Sequence, residues 1–172
     1  MQVRSAASDD VPAIVAIYNE VIEHSTAVYA TLPVSVDERI AWLRSRAASG
    51  FPVLVAAADD AVLGFASFAA FRGGWDGYRY TVEHSVHVRA DARGRGVGRE
   101  LVKALFPLAA GLGKHVMVGG IDAGNTAAIR FHANLGFERV ATFREVGRKF
   151  GRWLDLVFMQ KLLDVAGAPR PD

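Results

Sequence analysis

Between Gln2 and Leu162 the spacing of apolar positions switches repeatedly between two and three-to-four residues, and each switch marks an element. Residues 2–7 predict a short strand. "SDDVPAIVAIYNEVIEHS" then carries Ile14, Ile17, Tyr18, Val21 and Ile22 at helical spacing, with Ser8 and Asp9 as expected caps and Pro12 in the first turn. Ser35 and Glu38 form a capping-box pattern ahead of "RIAWLRSRA", predicting a second helix that Gly50 ends. "PVLVAAA" and "AVLGFASFAAF", joined at Asp59 and Asp60, predict an antiparallel hairpin, and "YRYTVEHSVHV" resumes the period of two after the loop "RGGWDG". An apolar helical pattern follows, running to about residue 109. "KHVMVGGI" reads as a buried strand, "NTAAIRFHANLGF" as a helix capped by Asn125 and stopped by Gly136, and "FERVATFREVG" and "WLDLVFMQKL" as two closing strands.

This succession predicts an α/β (α+β) fold, a mixed and mostly antiparallel central sheet flanked by about four helices. The 172-residue chain suits one domain, expected over 1–163, with 164–172 as a disordered tail. Lys and Arg number 20 against 18 Asp and Glu, a net charge of +2 with no basic stripe, so nucleic acid is not an expected partner. The chain has no cysteine, which excludes disulfides and thiolate chemistry and suits a reducing compartment. Acidic residues stand where a signal peptide needs an apolar core, and no apolar run reaches membrane-spanning length. The expectation is therefore a cytoplasmic protein without a membrane partner.

The candidate chemistry lies in "VRADARGRGVGRELVKALFPLA", residues 88–109. It is no Walker loop, because Gly98 is followed by Arg99 and Glu100 instead of Lys and Ser or Thr. It also misses the dinucleotide fingerprint: Gly94 and Gly96 fit, but Gly98 comes one residue early and Arg99 holds the third glycine's place. Two readings remain, a solvated strand-to-helix turn or an anion cradle. In the cradle, bare backbone N–H groups and the positive end of the helix dipole converge on a diphosphate.

Just upstream, alternation puts Thr81, Glu83, Ser85 and His87 on one strand face and Val82, His84, Val86 and Val88 on the other. A carboxylate at Glu83, amid β-branched neighbours, is either a salt-bridged strand residue or a general base in a cleft. His84 and His87 fall on opposite faces, and His24, His115 and His132 lack paired ligand spacing, so no metal site is expected. There is no G-x-S-x-G elbow. His132, in line with Ala128 and Leu135, reads on its own as a half-buried core histidine. Arg72 and Arg79 flank "GGWDGY" and are either solvated or forks for a carboxylate.

Taken in order, "TVEHSVHV", the R-x-x-G-x-G string from Arg93 to Gly98, and "NTAAIRFHANLGF" resemble the GCN5-related N-acetyltransferases over residues 2 to about 162. "IYNEVIEHSTAVY", "GKHVMVGGIDAGN" and "VGRKFGRWLDLVFMQ" look like the subgroup that acetylates phosphinothricin, methionine sulfoximine and methionine sulfone. The resemblance implies splayed strands at an acetyl-CoA site. The pyrophosphate would lie on Arg93, Gly94, Arg95, Gly96, Val97 and Gly98, the pantetheine arm along Val86, His87 and Val88, and Asn125 and Asn134 would contribute to the cofactor site. It implies direct attack of an amine on the thioester. Glu83 would be the base, the Val86 amide would polarise the carbonyl, and His132, where many members have tyrosine, would be an acid or a positional group. Arg72, Gly73, Arg79, Glu83 and Ser85 would hold the acceptor, with Trp75 and Trp153 as pocket walls or plain core. A homodimer is implied as well. Two rivals stay open: an acetyltransferase for a protein N-terminus, polyamine or aminoglycoside, and a non-catalytic acetyl-CoA-binding module.

Overall fold

The computed structural model describes residues 1–73 and 75–163; the expected tail at 164–172 lies outside them. The strands are β1 (Gln2–Ser5), β2 (Val53–Ala58), β3 (Ala61–Ala70), β4 (Thr81–Val88), β5 (Val116–Asp122), β6 (Glu138–Lys149) and β7 (Arg152–Leu162). The helices are α1 (Val11–His24), α2 (Val36–Ala48), α3 (Val97–Gly111) and α4 (Thr126–Ala133). One sheet takes the order β1-β2-β3-β4-β5-β7-β6, and its neighbours are antiparallel except β4 and β5.

Local chemistry explains most boundaries. Asp59 and Asp60 both take left-handed φ, 49° and 61°, which matches a tight hairpin turn to the strands' right-handed twist. Ser35 Oγ accepts from Glu38 N and Glu38 Oε2 accepts from Ser35 N, so the capping box of α2 is complete. The start of α1 departs from the sequence expectation. Ser8 and Asp9 lie in a 3-10 turn, and neither side chain caps the helix; the working carboxylate is Asp10. It accepts from Ala7 N at 2.7 Å and from the two terminal Arg4 guanidinium nitrogens at 2.7 and 2.8 Å, which ties β1 to the helix entry. β4 begins at Thr81 instead of Tyr78, because backbone bonds from Trp75 to Arg72, Tyr78 to Trp75 and Arg79 to Asp76 close successive turns there.

The sheet is buried on both faces. One carries α3 and α4 over Leu54, Phe68, Val82, Leu101, Leu105, Met117, Val157 and Met159. The other carries α1 over a smaller cluster of Ile14, Ile17, Val55, Val62 and Phe65, with Tyr18 and Trp42 at its margin. Arg39 of α2 is buried there too, its guanidinium carbon 4.0 Å from the Tyr18 ring centre and 4.7 Å from that of Trp42. No helix among the described residues is long and apolar enough to cross a membrane.

Candidate active site

β4 is bonded to β3 along its whole length, from Gly64↔Val88 to Ala70↔Val82. Towards β5 the ladder runs only from Thr81↔Val116 to Glu83↔Val118, and beyond it the strands part. Backbone bonds from Phe71 N to the Thr81 carbonyl and from Arg89 N to the Leu63 carbonyl show that odd-numbered residues of β4 turn their peptide groups towards β3. Even-numbered residues therefore face the gap. Val86 and Val88 offer backbone there, whereas the His87 carbonyl points to Gly64, where an added Cβ would meet it at 2.8 Å. The His87 peptide thus faces β3, and its place in the cavity wall is that of a residue between the two gap-facing ones. Its ring is buried on the α1 side, 5.2 Å from Tyr18 and 5.1 Å from Phe65 between ring centres.

At its far end the gap meets the loop before α3. Gly94 and Gly96 hold φ of 74° and 84°, and an added Cβ at either would meet nothing within 4 Å. The backbone there is bare and open, as close approach to a ligand requires. Gly96 is the N-cap of α3, and Glu100 N is the donor to its carbonyl, so the amides of Val97, Gly98 and Arg99 have no acceptor within the helix. Gly98 brings the helix close to Val88 and Phe131; an added Cβ would sit 3.4 Å from one and 3.5 Å from the other. The Arg93 guanidinium spans the mouth, donating to the Val88 carbonyl at 3.0 Å and to Glu20 at 2.6 Å.

Gap and loop together form a cavity of about 440 Å³. Of the residues expected to bind cofactor, Val86, His87, Val88, Arg93, Gly94, Gly96, Val97, Gly98 and Asn125 line it. Arg95 and Asn134 are exposed and off its wall. Asn125 is the N-cap of α4, its Oδ1 accepting from Ala128 N at 3.0 Å. The elongated apolar slot, open β4 backbone and amide cluster suit a thioester on a pantetheine arm ending in a diphosphate.

The titratable groups sit where the β4–β5 ladder ends. A Cβ on Gly120 would lie 3.3 Å from Glu83 Oε1, 3.5 Å from Leu156 and 3.8 Å from Phe158. Glu83 is exposed and does not itself line the cavity; its carboxylate lies beside Gly120, which does, over this apolar patch with no ion-pair partner among the described residues, and partial desolvation raises its pKa. On the opposite strand face His84 and His132 are buried, with ring centres 5.1 Å apart. Burial, reinforced by His132 and His87, lowers the pKa of His84 to about 3. Burial also lowers that of His132, whose Nδ1 lies 2.7 Å from the Ala128 carbonyl. Because that partner only accepts, Nδ1 carries the hydrogen and Nε2 the lone pair. His87 is lowered to about 4 by burial, with Arg39 and Arg93 adding to the effect.

Ser85 lines the cavity on the Glu83 face. Arg72, Gly73 and Arg79 do not line it; they belong to the loop between β3 and β4. The Arg72 guanidinium carbon lies 4.6 Å from the Trp75 ring centre and 5.4 Å from that of Tyr78, while Arg79 stacks on Tyr80 at 4.4 Å. Phe71, against Tyr78 at 5.7 Å and Phe158 at 6.3 Å, links this loop to the Glu83 patch. Trp75 and Trp153 are both exposed, so neither is core. Sequence reasoning missed Ala27, His84, Gly119, Gly120, Asp122 and Phe131 as wall residues. The double glycine in "VMVGGI" is the signal that was available. The Ala27 segment gives none, since Thr26 bonds to Asp122, Lys149 donates to the Ser25 and Val28 carbonyls at 2.8 and 2.7 Å, and Tyr29 to the Asp155 carbonyl at 3.0 Å.

Residues 14–137 match the acetyltransferase (GNAT) family. The chain is 47% identical to an L-methionine sulfoximine/L-methionine sulfone acetyltransferase of Salmonella typhimurium over 98% of each chain. It is 37% identical to a phosphinothricin N-acetyltransferase of Alcaligenes faecalis over 99% of this chain and 86% of that one. The Salmonella typhimurium protein yncA, solved with its cofactor acetyl-CoA, superposes with a TM-score of 0.94 at 46% identity, covering 100% of this chain and 98% of that one. The chain therefore belongs to the acetyltransferase (GNAT) family and is an N-acetyltransferase whose co-substrate is acetyl-CoA.

Proposed function

We propose that the chain acetylates the α-amino group of a small amino-acid-like substrate of the methionine sulfoximine, methionine sulfone or phosphinothricin type, by direct attack with Glu83 as general base. The observation that carries this reading is the Glu83 carboxylate, beside the cavity-lining Gly120 where the β4–β5 ladder ends and without an ion-pair partner among the described residues. The names of relatives at 47% and 37% identity support the acceptor class. An α-ammonium with a pKa of roughly 7.7 to 8.0 cannot attack until it loses a proton, and a carboxylate with a raised pKa is a better acceptor for it. The amides of Gly94 to Gly98 and the start of α3 hold the diphosphate, and the gap-facing Val86 amide polarises the carbonyl under attack. His132 acts in its neutral form, as a hydrogen-bond acceptor through Nε2. Arg72, Gly73, Arg79 and Ser85 complete the acceptor site, the arginines releasing their aromatic partners to take the substrate's acidic end.

The chain works as a homodimer in the cytoplasm. Val140, Phe143, Val146, Phe150 and Trp153, exposed along β6, β7 and the turn between them, supply apolar surface for a second copy. Light scattering tests the dimer, which a monomeric mass at micromolar concentration rejects. The activity is tested by thiol release from acetyl-CoA with methionine sulfoximine, methionine sulfone, phosphinothricin, ordinary amino acids, spermidine and an aminoglycoside. Turnover confined to the first three is expected. Turnover with only a polyamine or aminoglycoside overturns the acceptor assignment, and bound acetyl-CoA without turnover overturns catalysis.

A further inference from the structure

The gap between β4 and β5 opens with His84 beside Gly119, and acetyl transfer as derived above gives His84 no task. The ring is buried, yet neither nitrogen has a hydrogen-bond partner among the described residues. A neutral imidazole carries one N–H and one lone pair, and leaving such a group unpaired in a protein interior costs about 1–3 kcal/mol. Its Nε2 lies against Gly119: a Cβ there would sit 3.0 Å from His84 Nε2 and 3.6 Å from His132 Nε2. All three residues line the cavity wall. Two ring nitrogens converging on one lip, one of them a fixed lone pair, make a built site for the kind of water that buried polar groups recruit.

We propose that His84 is a positioning residue that, with His132, holds one water molecule beside Gly119 where the β4–β5 ladder ends. The proposal rests on the acetyl-transfer reading of the site. His84 carries its hydrogen on Nε2, because an orphaned N–H in the core is rarer than an orphaned acceptor. The water accepts that hydrogen bond, donates one O–H to His132 Nε2, and turns its second O–H into the cavity. The thioester reaches this end because Glu83, the base, stands at the last paired position of the β4–β5 ladder. As the amine nitrogen bonds to the acetyl carbon, the C–S bond breaks and its electron pair leaves on sulfur. Glu83, having first passed the ammonium's proton to solvent, takes the second amine proton, while the water's free O–H donates a hydrogen bond to the thiolate and keeps its proton. CoA leaves as thiolate, Glu83 is left as carboxylic acid, and both then exchange protons with solvent.

Three substitutions in the full chain test this. Gln puts an amide near the position of Nε2, Asn near that of Nδ1, and Phe keeps the ring without nitrogen. His84→Phe and His84→Asn are expected to lower kcat about tenfold, the worth of one hydrogen bond, with KM for acetyl-CoA within about twofold and His84→Gln close to wild type. In parallel, the ¹⁵N resonance of His132 Nε2 in the unliganded protein is expected to move towards that of a free lone pair in His84→Phe and to return in His84→Gln. Wild-type kcat in both His84→Phe and His84→Asn, an unmoved His132 resonance, or equal losses in the Gln and Asn variants would overturn the proposal. If His84→Phe does not fold, the Gln and Asn pair decides. If no amine is acetylated at all, the acetyl-transfer reading fails, and the His132 resonance still shows whether the water is held.

Discussion

The two edges of β4 are built from the same eight residues and behave in opposite ways. Towards β3 the ladder is continuous and backbone lies against backbone, so tightly at Gly64 that a Cβ there would sit 2.8 Å from the His87 carbonyl. Towards β5 the ladder stops after Glu83↔Val118, and the glycines opposite, Gly119 and Gly120, make room for the side chains of His84 and Glu83. A glycine on the bonded edge serves the sheet; a glycine on the parted edge serves the chemistry. The difference teaches that an incomplete strand pair, normally a liability, is here the binding site, because unpaired peptide groups facing a cavity are ready to accept a ligand's own amides.

Substitutions at the two edges break or sharpen this contrast. Glu83→Gln is expected to lower kcat at least about 100-fold, or ~2.7 kcal/mol, and to remove the acidic limb of the pH–kcat profile, with acetyl-CoA affinity unchanged by calorimetry. The sign follows from the raised pKa: the base works when deprotonated, so wild-type activity falls as pH drops through a value above the ordinary carboxylate range. A profile flat on the acid side in the wild type would remove Glu83 as base. Gly64→Ala, on the bonded edge, is expected to cost about 2 kcal/mol of stability in urea unfolding, since backbone has to shift to admit the methyl. Gly120→Ala, on the parted edge, is expected to reverse that balance. Its methyl, 3.3 Å from Glu83 Oε1, displaces the carboxylate and lowers kcat about tenfold, or ~1.4 kcal/mol, while the unfolding midpoint stays near wild type. Equal stability losses in the two alanine variants would erase the distinction between the edges. Gly96→Ala forces a side chain into φ 84° and is expected to cost about 1 kcal/mol, with a raised KM for acetyl-CoA and unchanged kcat at saturation.

Most elements are legible in the sequence because their causes are local. The capping box at Ser35 and Glu38, the Asp59–Asp60 turn, Asn125 at the head of α4 and Gly136 at its end each act within a few residues. The glycine loop and Glu83 are legible for the same reason, since a strand, a turn and a helix follow one another directly. What escapes the sequence is register between distant strands. That His84 meets Gly119, that Glu83 overlies Gly120, and that odd residues of β4 bond to β3 all depend on where β4 stops pairing with a strand 28 residues after its own end. Alternation assigns His87 a face, while the direction of its peptide, towards β3, emerges only from the register of the two strands. The Arg72 stack on Trp75 and the Lys149 anchor beneath Ala27 are tertiary contacts with no local signature.

The gap also reaches both faces of the sheet, with Ser85 on the α1 side and His84 and His132 on the α3 side. In kinetic terms such an opening lets two reactants reside together, each entering from its own side, without queuing for one mouth. A chain with no cysteine and no serine elbow lacks the two nucleophiles that most readily hold an acetyl group between them. Rates measured against both substrates should therefore trace intersecting lines in double-reciprocal form, the mark of a ternary complex.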